Sequence, residues 1–245
     1  MSRKLWIPIA AVAALAVLGG GGAYAYFFSG LRTTPPALAL SSPGASPSST
    51  ASSSSTSTPT GGATTWTIAS GSLAGYRVNE QFVGQSSTHQ AVARTSDVTG
   101  QVSITQSGGT YQMTSATVTV QLASLASVDQ VAGYNVTNRD RIVQGALGVS
   151  SSPTAVFVAQ SVTLPAGVET GQAVTVTVPG RLTIHGVTKD VTASLQLRVS
   201  GTTAQIAGMI ATNMTDFGIS PPSIGFTTVQ PSVTIEVSLN LSEGA

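Results

Sequence analysis

The chain has 245 residues, only 8% of them charged, and its formal net charge is +1. A charge so close to zero provides no basic surface for nucleic acid or for an anionic membrane face. The sequence contains no cysteine, which excludes disulfides, thiolate metal sites, cysteine nucleophiles and a lipid-modified cysteine anchor.

The amino-terminal segment, residues 1–28, is predicted to be a membrane signal-anchor. An uncharged apolar run extends from Leu5 to Phe28, directly after Arg3 and Lys4. A helix of this length would reach about 36 Å, enough to cross a hydrocarbon core of about 30 Å. The positive flank predicts a cytoplasmic amino end and an exported remainder, and therefore a single-pass protein of the cell membrane whose domain is extracytoplasmic.

A cleaved signal peptide is the alternative for the same segment. Its apolar core would run from Ile7 to Leu18, and Ala23-Tyr24-Ala25 has the form of a cleavage site. Against cleavage, the aromatic residues Tyr26 to Phe28 continue the apolar run and suit a membrane interface. Cleavage would give a secreted protein, so both alternatives place the remainder outside the cytoplasm.

Residues 29–65 are predicted to be a disordered linker. From Ser41 to Thr60 the chain consists almost entirely of Ser, Thr, Pro, Ala and Gly. Such a segment buries too little apolar surface to offset the entropy lost on ordering. The segment is therefore interpreted as a linker or stalk between the anchor and the domain.

Residues 66–245 are predicted to form one all-β domain with a short helical insertion. Apolar residues alternate with polar ones through successive runs, separated by turn signals such as Ser107-Gly108-Gly109. The clearest alternating runs are Val98–Ile104, Ala116–Leu122, Val174–Ile184, Val191–Val199, Ala204–Ile210 and Val229–Leu239. Between Ser127 and Leu147 the spacing becomes helical, and Asn138 is a candidate cap for a helix beginning near Arg139.

About eight strands with one apolar face can close in three ways. They can form two packed sheets with a dry core, a closed barrel, or an outer-membrane barrel with its apolar face towards lipid. Aromatic residues make up only 5% of the chain, too few for the two girdles of an outer-membrane barrel. Periodicity alone leaves the sandwich and the closed barrel open.

Several short motifs occur in a recognisable order along the chain. The clearest is GRLTIHGVTK, from Gly180 to Lys189. The others are Trp66–Val78, Asp97–Val102, Asn138-Arg139-Asp140, Ser152–Phe157 and Thr215–Ile219. This ordered set resembles the YceI-like family of lipid- and polyisoprenoid-binding domains. The resemblance implies a lipocalin-like, extended antiparallel β-barrel with an apolar tunnel. It also implies a polyprenyl lipid, an isoprenoid quinone or a similar amphiphile as ligand.

The sequence departs from the family pattern where a ligand head group would be recognised. Gly71-Ser72-Leu73 and Val78-Asn79-Glu80 stand where the family has a His-Ser pair and a later His. Arg141-Ile142-Val143 replaces the usual His-Leu and aromatic continuation after the Arg-Asp pair. Head-group recognition is therefore not carried over from the family.

The candidate ligand-binding residues are large apolar side chains on the predicted inward faces, where an apolar cavity would be lined. The glycine in Ala204-x-Ile206-x-Gly208 is expected to leave space in that lining. The candidates are Phe82, Phe157, Leu182, Ile184, Leu195, Leu197, Ile206, Ile210, Phe217 and Phe226. Packing in a plain core is the competing interpretation for each of them.

No catalytic or metal site is predicted. The two histidines, His89 and His185, have no acidic partner in the sequence pattern and no cluster with metal-site spacing. Asp216-Phe217-Gly218 is interpreted as a turn, because the other kinase motifs are missing. Arg139-Asp140 is interpreted as a local ion pair or a helix cap, or as a pair at the mouth of a pocket.

The sequence therefore predicts a non-enzymatic, membrane-tethered carrier of a long apolar lipid. It predicts no cofactor other than such a lipid or quinone, and no nucleic-acid partner. A cell-surface structural or adhesion domain with a solid core is the alternative. The oligomeric state is left open, with a homodimer among the alternatives.

Overall fold

The structure is a computed structural model, which describes residues 32–41, 62–82, 88–131, 137–224 and 227–244. The predicted anchor, residues 1–28, and Phe226 lie outside the described residues. Within the described ranges, no helix is long and apolar enough to span a membrane.

Nearly all the described elements are strands, with one α-helix between β8 and β9. The strands are β1 (Arg32–Thr33), β2 (Ala63–Ile68), β3 (Leu73–Phe82), β4 (Thr88–Thr95), β5 (Val98–Ser107), β6 (Thr110–Gln121), β7 (Ala126–Ser127), β8 (Gln130–Val131), β9 (Thr154–Ala159), β10 (Val162–Thr163), β11 (Val174–Ile184), β12 (Val187–Ser200), β13 (Thr203–Asn213), β14 (Ser223–Ile224) and β15 (Thr227–Glu243). The helix is α1 (Thr137–Ala146), and short 3₁₀ turns occupy Leu122–Ser124, Val168–Thr170 and Met214–Phe217.

The strands close into an antiparallel barrel. Eight of them follow one another around it in the order β13, β12, β11, β9, β6, β5, β2, β15, and the pairing of β13 with β15 completes the circle. The long strand β15 pairs first with β3 and then with β2, and β3 pairs with β4, so β3 and β4 extend the wall of the barrel at one end. The predicted barrel is therefore confirmed, and the two-sheet sandwich is excluded.

Alternation of residue type explains which side of each strand faces inward. On β12, Ala193 and Leu197 are buried whereas Thr192, Ser194 and Gln196 are exposed. Successive side chains of a strand point to opposite faces, so a period of two fixes the inward set. Each fully buried aliphatic side chain stabilises the fold by about 1.5–3 kcal/mol relative to exposure.

One end of the barrel is filled by interdigitating side chains. We call it the closed half, and it contains the ends of the strands next to the turns β5–β6 and β12–β13. Its core cluster has large residues at its centre, all at most 9% exposed: Met113, Leu164, Val168, Leu197, Leu239 and Leu241. This half of the interior is a packed core.

Gly208 does not leave the space that was expected of it. A Cβ added there would lie 2.2 Å from the Ser194 carbonyl oxygen and 2.8 Å from Leu195. The backbone of β12 already occupies that volume, so the expectation was wrong. Glycine permits close strand approach at this position and does not open a cavity.

The motif at residues 180–189 is a tight hairpin between β11 and β12. His185 and Gly186 both have positive φ, 54° and 74°, as a two-residue type I′ turn requires. His185 Nδ1 lies 3.3 Å from the carbonyl oxygen of Phe217, and a Cβ added to Gly148 would lie 2.7 Å from the His185 ring. His185 therefore connects the hairpin with the segments that follow α1 and β13.

The helical insertion is found nearly where it was predicted. The helix begins at Thr137, so Asn138 lies inside its first turn and does not cap it. Arg139 and Asp140 do not form a pair with each other in the described contacts. Asp140 accepts hydrogen bonds from the backbone and hydroxyl of Ser127, whereas Arg139 binds Asp129. These contacts fasten the helix to β7 and to the residues that follow it.

Candidate ligand-binding cavity

The other end of the barrel contains a cavity of about 160 Å³. We call this end the cavity half. The cavity lies among β3, β4, β15 and α1, below the 3₁₀ turn that follows β13. Its lining is almost entirely apolar and includes Ala74, Val78, Ala91, Val120, Leu122, Ile142, Val143, Leu147, Ile184, Met214, Phe217, Ile219, Val233 and Ile235.

Small and large residues together line this cavity. The small ones are Ala74 and Ala91 from β3 and β4, and Ala146 and Ala155 from the helix and β9. Large residues complete the lining, among them Phe217. The core cluster of the closed half contains alanines too, so residue size alone does not decide which half is filled.

We infer from the exposure of one lining residue that the cavity opens to the surface beside α1. Ile142 lines the cavity and is nevertheless 37% exposed, although it is a large hydrophobic residue. Val143, Ala146 and Leu147 complete the helical side of the lining. The helix therefore forms one wall of an apolar opening.

A small polar group lies at one side of the cavity. Tyr76, Glu80 and Arg139 all belong to the lining. The Arg139 guanidinium makes two hydrogen bonds to the Asp129 carboxylate, one of 2.9 Å, and the Asp129 side chain is fully buried. His89 Nε2 lies 3.4 Å from the same carboxylate, and the Val92 amide donates to it.

This ion pair shifts the pKa values of both of its members. Burial alone would raise the pKa of Asp129, but hydrogen bonds from His89, Arg139 and the Val92 amide lower it to about 2. Burial opposes the charged form of Arg139 too, yet its bonds with Asp129 raise the pKa of the guanidinium above its ordinary value. Both groups remain ionised at neutral pH, and each neutralises the other.

Tyr76 is the neutral polar group of the site. Burial raises the pKa of its phenol above the ordinary value, so the hydroxyl stays protonated. Within the described residues, this hydroxyl makes no hydrogen bond to another side chain or to the backbone. It remains able to donate a hydrogen bond to a molecule in the cavity.

The predicted ligand-binding residues are divided between the two halves. Ile184 and Phe217 line the cavity. Leu182 and Phe157 pack beside them, in the same cluster as Phe217. The other described candidates belong to the core cluster of the closed half: Leu195, Leu197, Ile206 and Ile210. Phe82 belongs to β3, but its side chain, like Phe226, lies outside the described residues.

Sequence reasoning missed most of the cavity lining. The search for large inward side chains passed over Ala74 and Ala91, which line the cavity although they are small. The alternation Ala74-x-Tyr76-x-Val78-x-Glu80 on β3 places one residue of every two in the lining, and this signal was available in the sequence. The helical contribution of Ile142 and Val143 required the position of α1.

These features define a closed antiparallel β-barrel with an internal apolar cavity, of a size whose interior is either filled by side chains or holds one small ligand. The chain belongs to the YceI-like domain family, whose model matches residues 66–241. A search of curated proteins gives no match.

A solved structure agrees with this fold. A polyisoprenoid binding domain from Saccharophagus degradans, implicated in plant cell wall breakdown, superposes with a TM-score of 0.52 at 13% identity. The match covers 73% of this chain and 98% of that domain. BcnA of Burkholderia cenocepacia gives a TM-score of 0.47 at 19% identity, covering 68% of this chain and 95% of its own.

Proposed function

We propose that this protein is an exported, membrane-tethered binding protein that sequesters or carries a long apolar lipid, such as a polyisoprenoid or an isoprenoid quinone. The observation that carries the proposal is the apolar cavity in one half of the barrel, open beside α1. Membership of the YceI-like family supports it, as does the polyisoprenoid binding ascribed to the domain from Saccharophagus degradans.

Binding would occur by burial. Each methylene group removed from water contributes about 0.8 kcal/mol. The cavity of about 160 Å³ is close in size to an engineered cavity of about 150 Å³ that holds benzene. In this proposal the end of a prenyl chain fills the cavity, and the following units leave along the apolar opening beside Ile142.

The charges around the cavity favour an uncharged head group. Arg139 is the only cation among the described lining residues, and Asp129 already neutralises it. Glu80 adds a carboxyl group to the lining, so a diphosphate head would meet no surplus positive charge. Tyr76 can instead donate a hydrogen bond to a carbonyl or hydroxyl oxygen, as a quinone or an alcohol would offer.

The tether and the extracytoplasmic location belong to the same proposal. Their support is the apolar run after Arg3 and Lys4, followed by the Ser/Thr/Pro-rich segment. The proposed mechanism needs no catalytic group. In the described part of the chain, no group of three acidic or histidine side chains could hold a metal ion.

A structural or adhesion domain with a solid core is the second candidate. The closed half fits it, because its interior is filled. The cavity half favours the carrier, since a purely structural barrel gains nothing from leaving apolar volume empty.

The test uses the full-length chain purified in detergent and a fluorescent prenyl alcohol as probe. We expect saturable binding that the variant Ile142→Glu weakens at least tenfold, because a carboxylate at the opening must be desolvated. Met209→Glu is the matched control, since Met209 is 48% exposed on β13 away from the cavity. Equal binding by both variants, or no saturable binding by the unaltered protein, would overturn the proposal.

A further inference from the structure

Part of the segment predicted as linker lies along the outer wall of the barrel. We call residues 32–41 the strap. Arg32 and Thr33 pair with Val131 and Gln130, and the strap continues to Ser41 without further helix or strand. Pro35 and Pro36 stiffen it, because proline fixes φ and cannot donate a backbone hydrogen bond.

A buried ionic cluster on the barrel holds the strap in place. Glu236 accepts hydrogen bonds from Arg77 Nε at 2.6 Å and from Arg94 Nε at 2.8 Å. Arg77 also donates to the Pro35 carbonyl at 2.8 Å, and the Leu38 amide donates to Glu236 at 3.2 Å. The Glu236 side chain is only 3% exposed, although it points away from the barrel interior. The strap is the cover that buries it.

The strap runs from the cavity half to the closed half. Its first residues lie near the cavity, because Gln130 follows Asp129, the partner of Arg139 in the lining. Its last residue, Ser41, accepts a hydrogen bond of 2.8 Å from Arg198 near the β12–β13 turn. The chain reappears at β2, whose Ala63 pairs with Thr105 near the β5–β6 turn. Both flanks of the Ser/Thr/Pro-rich segment 42–61 therefore lie at the closed half.

The position of Arg32 limits how far the cavity half can be from a membrane anchor. The apolar run ends at Phe28, four residues before Arg32. Four residues span at most about 14 Å when fully extended. The stretch between the anchor and the barrel is consequently short, and the Ser/Thr/Pro-rich segment is not part of it.

We propose that the strap fixes the barrel with its cavity half against the lipid bilayer, so that the apolar opening beside α1 takes its ligand directly from the membrane. This inference depends on the tether of the proposed function. The partner is the bilayer surface itself, and Ile142, 37% exposed beside the cavity, is an apolar residue that would face it in this arrangement. Segment 42–61 does not act as the spacer that its composition suggests.

The test measures energy transfer from single labels on the full-length chain to an acceptor lipid in phosphatidylcholine vesicles. The chain has no cysteine, so Ser220→Cys in the cavity half and Thr202→Cys in the closed half each give one labelling site. Both positions are exposed, and the length of β13 separates them by about 30 Å. We expect at least twofold more efficient transfer from position 220.

Two insertions distinguish the strap from a flexible stalk. Twenty Gly/Ser residues inserted after Ser29 should abolish the difference between the labels, because they lengthen the stretch before the strap. The same insertion after Thr50 should leave the difference unchanged. A flexible stalk predicts that both insertions act alike, and that result would overturn the proposal, as would equal transfer from the two labels in the unaltered chain.

Prenyl-probe binding by the same variants separates this proposal from the proposed function. Retained binding with equal transfer from both labels would contradict the orientation and leave the lipid-binding function standing. Absence of saturable prenyl-probe binding by the unaltered protein would contradict that function instead. A chain that does not associate with vesicles would contradict the tether, and the orientation with it.

Discussion

The two halves of the barrel share one strand pattern and differ in what their inward residues do. In the closed half, residues such as Leu197 and Leu239 fill the interior. In the cavity half, the inward residues of β3, β4, β15 and α1 leave about 160 Å³ empty. The first half can contribute stability by close packing, whereas the second gives up part of that contribution and is left with room for a ligand.

The largest expected effect is a difference between two truncations on one strand. Leu239→Ala in the closed half should lower the free energy of unfolding by about 3–4 kcal/mol, because it opens a void in a packed core. Ile235→Ala on the same strand borders space that is already empty and should cost about half as much. Chemical denaturation of both variants measures this, and equal losses would contradict the division into two halves.

Acid should destabilise the cavity half through Asp129. Its pKa is lowered from 3.8 to about 2, so the folded state favours the ionised form and gains stability that is fully present above pH 3.8. That stability, about 2 kcal/mol, should be lost as the pH falls towards 2. Denaturant melts between pH 6 and pH 2 test it, and Asp129→Asn should flatten this part of the profile.

Enlarging one alanine in each half should give opposite results. Ala193→Val in the closed half should cost about 1–2 kcal/mol through overpacking. Ala91→Val should leave stability nearly unchanged and weaken prenyl-probe binding by about tenfold, since it occupies ligand volume. Titration and denaturation of the two variants are the measurements. Unaltered binding by Ala91→Val would show that the ligand lies elsewhere.

The smallest expected effect concerns the hairpin at His185. His185→Asn should cost less than about 1 kcal/mol, because asparagine tolerates positive φ. His185→Val should cost about 1–3 kcal/mol, since a β-branched residue is strained there. Thermal denaturation compares them, and probe binding at full occupancy should be unaffected in both. A larger loss for asparagine than for valine would contradict a turn-forming role.

The sequence predicted the barrel far better than its cavity. Period-two alternation identified the inward residues of β11, β12 and β13, and the ordered motifs from Trp66 to Ile219 pointed to the family that the comparison confirms. The same reasoning picked large inward residues such as Leu195 and Ile206, which belong to the packed core. Large inward side chains occur both in the packed core and around the cavity, so size and direction along a strand do not identify the residues that line it.

The strap shows a second limit of local reasoning. Composition marks residues 29–65 as linker, yet residues 32–41 lie on the barrel through partners that are distant in the chain, such as Arg77 and Glu236. Alternation marks Glu236 as an outward residue, and it is outward. Its burial depends on a distant segment that covers it.

By itself the sequence determined the strands, their inward faces and the helical insertion, because these follow from side-chain direction and turn chemistry over a few neighbouring residues. The tertiary structure alone decided which inward faces meet and which enclose empty volume. It also brought Arg139 to Asp129 and the strap to Glu236. Those outcomes depend on the distances between strands that are remote in the chain, and no local pattern encodes such distances.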